Sequence, residues 1–124
     1  MQILNLATLS LFISSSLAAD CFGSSGIASK FIEGYWEARH KMCSNSDCAY
    51  QQPCTVRTSK KYTFIGSATL QIEIKRKNTD GKQGFKDCWD ATENIINQCV
   101  RDGDLYSGTW QAYGQYYQIN GWYD

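Results

Sequence analysis

Phe85 to Asp124 reads FKDCWDATENIINQCVRDGDLYSGTWQAYGQYYQINGWYD, and the fold is decided within it. In its first half Cys88, Ala91, Ile95 and Cys99, with Ile96 and Val100 beside them, recur at helical spacing and line one face. Asp87 is suited to cap that helix, and Asp90 and Glu93 in its first turns favour the positive end of the dipole. Arg101 followed by Gly103 supplies the stop. The second half carries seven aromatic residues, Tyr106, Trp110, Tyr113, Tyr116, Tyr117, Trp122 and Tyr123, and reads as two short strands turning near Gly114. Strand alternation sends Tyr117 and Ile119 one way and Tyr116, Gln118 and Asn120 the other. Trp110 likewise opposes Thr109 and Gln111, so Trp110, Tyr117 and Ile119 are the expected core.

The helix also constrains the cysteines. Cys88 and Cys99 are eleven residues apart, about 16 Å along a continuous helix. A disulfide needs Cα atoms within about 7 Å, so these two cannot pair and each end of the helix is tied elsewhere. The exclusion reduces the fifteen pairings of six cysteines to twelve. All six, Cys21, Cys43, Cys48, Cys54, Cys88 and Cys99, follow an apolar, serine-rich leader that ends in small residues at Ala18 and Ala19. That leader reads as a secretory signal peptide over residues 1–19, leaving residues 20–124 as one cysteine-rich domain with three disulfides in an oxidising compartment. The expected localisation is extracellular. No second apolar run approaches the roughly 20 residues of a membrane helix, so stable membrane insertion is not expected.

Upstream, DCFGSSG reads as a loop, and Ser25 to Cys43 as an amphipathic helix with Ile27, Phe31, Ile32, Tyr35 and Trp36 on its apolar side and Ser24 or Ser25 as cap. SNSDCAYQQPC, with the only proline, is a stapled loop. Leu70, Ile72 and Ile74 alternate with Gln71, Glu73 and Lys75 as in a half-buried strand, joined to the Tyr62–Ile65 run by a turn at Gly66 and Ser67. NTDGKQG is the turn that leads back to the opening stretch. The sum is an α+β class: a single-domain, disulfide-bonded α/β sandwich, an antiparallel sheet with two packed helices.

Twelve basic residues balance twelve acidic ones, which argues against a nucleic-acid partner. The basic residues gather in the middle of the chain, where Arg57, Lys60, Lys61 and Lys75 to Lys77 form either a patch for anionic ligands or gatekeepers at strand ends that discourage edge pairing, the latter preferred. Lys75-Arg76 is also similar to a dibasic processing site, although a strand is a poor protease substrate. His40 stands alone, no catalytic motif or metal-ligand spacing is present, and the acidic pairs fall at a helix start or on a solvated helix face. No enzymatic activity, metal or cofactor is expected. The aromatic tail is the strongest functional signal, because Tyr and Trp rings stack on sugar faces while amides bond hydroxyls. Gln111, Tyr113, Tyr116, Gln118, Asn120 and Trp122 are the candidate ligand-binding residues.

C-x-x-A-x-x-x-I-I-x-x-C from Cys88 to Cys99, followed by G-T-W at Gly108–Trp110 and Y-Y-x-I at Tyr116–Ile119, resembles the small secreted fungal glycan-binding proteins of the Y-three type. The likeness covers about the last forty residues. It implies a disulfide-bonded α/β sandwich, recognition of glycans or glycoproteins, and a homodimer paired through a sheet edge. Similar architecture occurs in small fungal killer toxins and effectors, so a secreted non-enzymatic toxin acting through protein or membrane contact is the competing expectation.

Overall fold

The computed structural model describes residues 18–25, 27–63, 68–80 and 84–123. The leader before Ala18, the turn at Gly66 and Ser67, the middle of NTDGKQG and Asp124 lie outside the described residues. The elements run β1 (Asp20–Ser25), a 3-10 turn (Ala28–Phe31), α1 (Ile32–Cys43), β2 (Cys54–Tyr62), β3 (Ala68–Asn78), α2 (Cys88–Ile95) prolonged as a π-helix (Ile96–Asp102), β4 (Leu105–Ala112) and β5 (Gln115–Tyr123). The five strands form one antiparallel sheet in the order β1-β4-β5-β3-β2.

Alternation decides which face is covered. Val56, Ile74, Ile119 and Gly108 share one row across β2, β3, β5 and β4. All four are buried, as are Leu70, Ile72, Tyr117 and Trp110 on the same side. Both helices lie against this face, and two glycines mark where they touch it. A Cβ at Gly108 would stand 2.5 Å from Cys99 Sγ and 2.9 Å from Ile95 Cγ2 of the α2 segment. One at Gly121 would collide with Tyr35 Oη of α1, which donates to Tyr106 O at 2.9 Å. Small residues at these sites therefore let the helices seat directly on the strand backbones. Among the described residues no helix lies on the other face of the sheet.

The inner face expected for the second helix is the observed one: Cys88, Ala91, Ile95, Ile96, Cys99 and Val100 are all buried. Cys43–Cys88 fastens the start of α2 to the end of α1, and Cys21–Cys99 fastens its π-helical end to β1. Cys48–Cys54 closes the loop before β2. The molecule is thus a disulfide-bonded α+β domain with two helices on one side of the sheet.

Four details differ from the sequence reading. Asp20–Ser25 of DCFGSSG is not a loop but edge strand β1, held by pairing with β4 and by Cys21–Cys99. The first helix opens at Ala28 with Ile27 and Phe31 at its cap positions, and no Ser side chain caps it. Asp87 occupies the cap position of α2 without a side-chain cap bond, because its carboxylate accepts a hydrogen bond from Gln115 Nε2 at 2.7 Å. Arg76 does not belong to a surface patch.

That arginine lies on the covered face, in register with Ile74 and Ile72, and is 2% exposed. Its guanidinium donates to Gln52 O at 2.8 Å, Asn45 Oδ1 at 2.9 Å and Ala49 O at 3.3 Å, and sits over the Phe85 ring. Desolvation lowers its pKa from the ordinary arginine value. The residue serves as the post on which the 44–53 loop is hung, and its burial within β3, between β2 and β5, also argues against cleavage at Lys75-Arg76.

Candidate functional site

β5 is the strand that builds the site. Its odd residues Gln115, Tyr117 and Ile119 face the helices. Tyr117 Oη donates to Gln115 Oε1 at 2.6 Å, and burial raises the Tyr117 pKa above the ordinary phenol value. These contacts fix the strand from beneath and leave Tyr116, Gln118, Asn120 and Trp122 on the uncovered face.

Five of the six candidate residues come together there. Tyr116 pairs in register with Gln111 of β4 on one side and Lys77 of β3 on the other, and Gln118 pairs with Thr109 and Lys75. Along the strand Tyr116 Oη donates to Gln118 Oε1 at 3.3 Å, and Gln118 Nε2 donates to Asn120 Oδ1 at 3.2 Å. Trp122 follows, 38% exposed, with the Arg57 guanidinium 5.7 Å from its ring centroid. Tyr116 and Trp122 are six residues apart on an extended strand, which separates them by roughly 20 Å. Two aromatic rings thus bracket two amides whose orientations are set by mutual hydrogen bonds.

Tyr113 is not part of this row. It occupies the β4–β5 turn with φ of 54°, outside the strand alternation, and is 71% exposed. Its ring approaches Trp110 at 6.5 Å and borders a separate cleft of about 470 Å³ that is also lined by Gln51, Asn78, Asp80 and Lys86.

The charges of the open face were only partly legible beforehand. Glu73 is 7% exposed although no helix among the described residues covers it, because Arg57 Nε and Nη2 donate to its Oε2 at 3.0 and 2.8 Å. Lys75 Nζ is 3.7 Å from its other oxygen. Lys77 Nζ lies 5.2 Å from the Tyr116 ring centroid. Lys60 leaves the group altogether: it projects from the covered side of β2 and pairs with Glu37 Oε2 of α1 at 2.6 Å. The lysines and Tyr116, with Gln118, Thr55 and Pro53, line a second cleft of about 410 Å³ on the open face.

His40 is exposed on α1, 6.0 Å from the Trp89 ring, and no shared geometry links it to the open face. Among the described residues no group of three His, Cys, Asp or Glu side chains is placed to hold a metal, and no helix is long and apolar enough to cross a membrane. No protein-family model matches the chain, and no curated protein or solved structure matches it.

Proposed function

We propose that the chain is a secreted, non-enzymatic carbohydrate-binding protein whose glycan or glycoprotein ligand lies along β5 on the open face of the sheet. The observation that carries this reading is the line of half-buried Tyr116, Gln118 and Asn120 and exposed Trp122 on the strand side that faces away from the helices. Rings that present a face to solvent offer stacking surface to the apolar faces of sugars, and the intervening amides offer donors and acceptors to hydroxyls. Because the amides already hold one another, little side-chain freedom is lost on binding. Gln111 borders the line on β4, and Tyr113 is too far round the turn to share one sugar with Trp122. The apolar leader, the three disulfides and the resemblance to Y-three-type proteins support export and this class of ligand.

A glycan array probed with the oxidised chain tests the reading. Binding that Tyr116→Ala and Trp122→Ala each weaken at least tenfold supports it, and no binding to any glycan at high protein concentration sinks it.

A protein-contact reading, as a secreted toxin or effector, has its own support on the opposite side. Trp89 of α2 is 41% exposed, and the Arg39 guanidinium lies over both its ring, at 4.8 Å, and that of Trp36, at 5.4 Å. Arg39 also donates twice to Trp89 O, which holds the three side chains as a rigid Trp-Arg-Trp group of the type enriched at protein interfaces. Loss of biological activity in Trp89→Ala with glycan binding intact would favour that function over the lectin.

A further inference from the structure

Lys75 and Lys77 stand on the same side of β3, roughly 7 Å apart, and flank the line of β5 at its Tyr116 end. With Tyr116 and Gln118, their register partners, they form a four-residue tile that floors the 410 Å³ cleft. The positive charge of this tile is only partly neutralised. Glu73 is the carboxylate beside it, and Arg57 already occupies that group with two hydrogen bonds, so Lys75 at 3.7 Å is only a distant third partner. Among the described residues Lys77 has no acidic partner, and its ammonium sits instead at the Tyr116 ring. Beside Lys77, Tyr116 offers a ring for a sugar face, and Gln118 offers an amide for a hydroxyl.

A stacking ring with two under-neutralised ammonium groups at one sugar's distance is matched by a sugar that carries an anion. Resting on the carbohydrate-binding reading above, we infer that the cleft between Lys75, Lys77, Tyr116 and Gln118 is a subsite for an acidic sugar, its carboxylate or sulfate held between the two ammonium groups and its ring against Tyr116. The remainder of β5, toward Asn120 and Trp122, then takes the neutral part of the chain. Carboxylate and sulfate share this chemistry, and the choice between them is made by experiment.

The test is calorimetric titration of the oxidised chain with three oligosaccharides of equal length: an oligogalacturonide, a carrageenan fragment, whose anions are sulfates alone, and a neutral chitooligosaccharide. The carboxyl-reduced galacturonide and inorganic polyphosphate serve as controls. The expected result is that at least one acidic sugar binds about tenfold or more tightly than its neutral counterpart, and that Lys77→Gln removes that advantage while Lys77→Arg retains it. Raising the salt to about 1 M, where the Debye length falls to about 3 Å, should remove it too. The arm that binds best identifies carboxylate or sulfate. If neutral sugars bind as tightly and Lys77→Gln changes nothing, the acidic subsite is overturned while the carbohydrate reading stands. If no sugar binds, both fall. Equal binding of polyphosphate, indifferent to Tyr116→Ala, would mean charge attraction without sugar recognition, and that also overturns the subsite.

Discussion

The two faces of β5 set side by side separate what holds this protein together from what it presents. Toward the helices, Gln115, Tyr117 and Ile119 are buried in a layer closed by Cys43–Cys88 and Cys21–Cys99, and each contact there serves stability. Toward solvent, Tyr116, Gln118, Asn120 and Trp122 touch mainly one another and the side chains of β3 and β2. One strand therefore carries two sequences read by different physics, and substitutions on its two sides should have separable consequences.

The largest effects should come from the covered layer. Cys21–Cys99 spans 78 residues, so replacing both cysteines by alanine should cost about 4 kcal/mol on the chain-entropy account, against about 2 kcal/mol for Cys48–Cys54, which spans only six. Denaturant midpoints of the two variants measure the difference, and equal losses would break the argument. Gly108→Ala follows, at about 1–3 kcal/mol, because its methyl group enters the space of Cys99 Sγ and Ile95. Thermal melting with the disulfides intact is the readout.

The tyrosines sharpen the comparison through pH. Tyr106 and Tyr117 both have pKa values raised, first of all by burial. Their neutral forms are therefore favoured in the fold, and the stability they contribute is complete below the unfolded phenol pKa of about 10 and lost as pH rises beyond it. A phenolate absorbance titration should leave Tyr106 and Tyr117 among the tyrosines still un-ionised above that pH until the protein unfolds, and Tyr117→Phe should reduce the late step by one tyrosine. Smallest in stability, and largest in binding, are the open-face changes. Tyr116→Ala and Trp122→Ala should each shift unfolding by less than about 1 kcal/mol while abolishing most glycan affinity. A large drop in melting temperature for either would erase the distinction between the faces.

How far the sequence revealed this division depends on the element. Leu70, Ile72 and Ile74, and Tyr117 and Ile119, announce their face because a buried strand side must be apolar at period two. The same parity applied one step further places Arg76 with Ile74, and grouping it with its charged neighbours let composition override geometry. β1 offered no such signal: Gly23 and two serines in DCFGSSG resemble a loop, and only β4 and the disulfide make it a strand. Tyr113 escaped because alternation stops at a turn, where a left-handed backbone residue redirects the chain. Five open-face candidates were legible from β4 and β5 alone, but the lysines that flank them come from β3, and no local pattern reports which strands become neighbours.

The bond that secures β1 also governs strand exchange. β1 is six residues long, it pairs with β4 through an irregular register, and by hydrogen bonds alone it is the element best placed to leave its own sheet and complete that of a second molecule. Once Cys21 is joined to Cys99 that traffic is closed, since the strand cannot depart without carrying the end of α2 with it. β2, the other outer strand among the described residues, is tied by Cys48–Cys54 only to the loop before it and not to a helix.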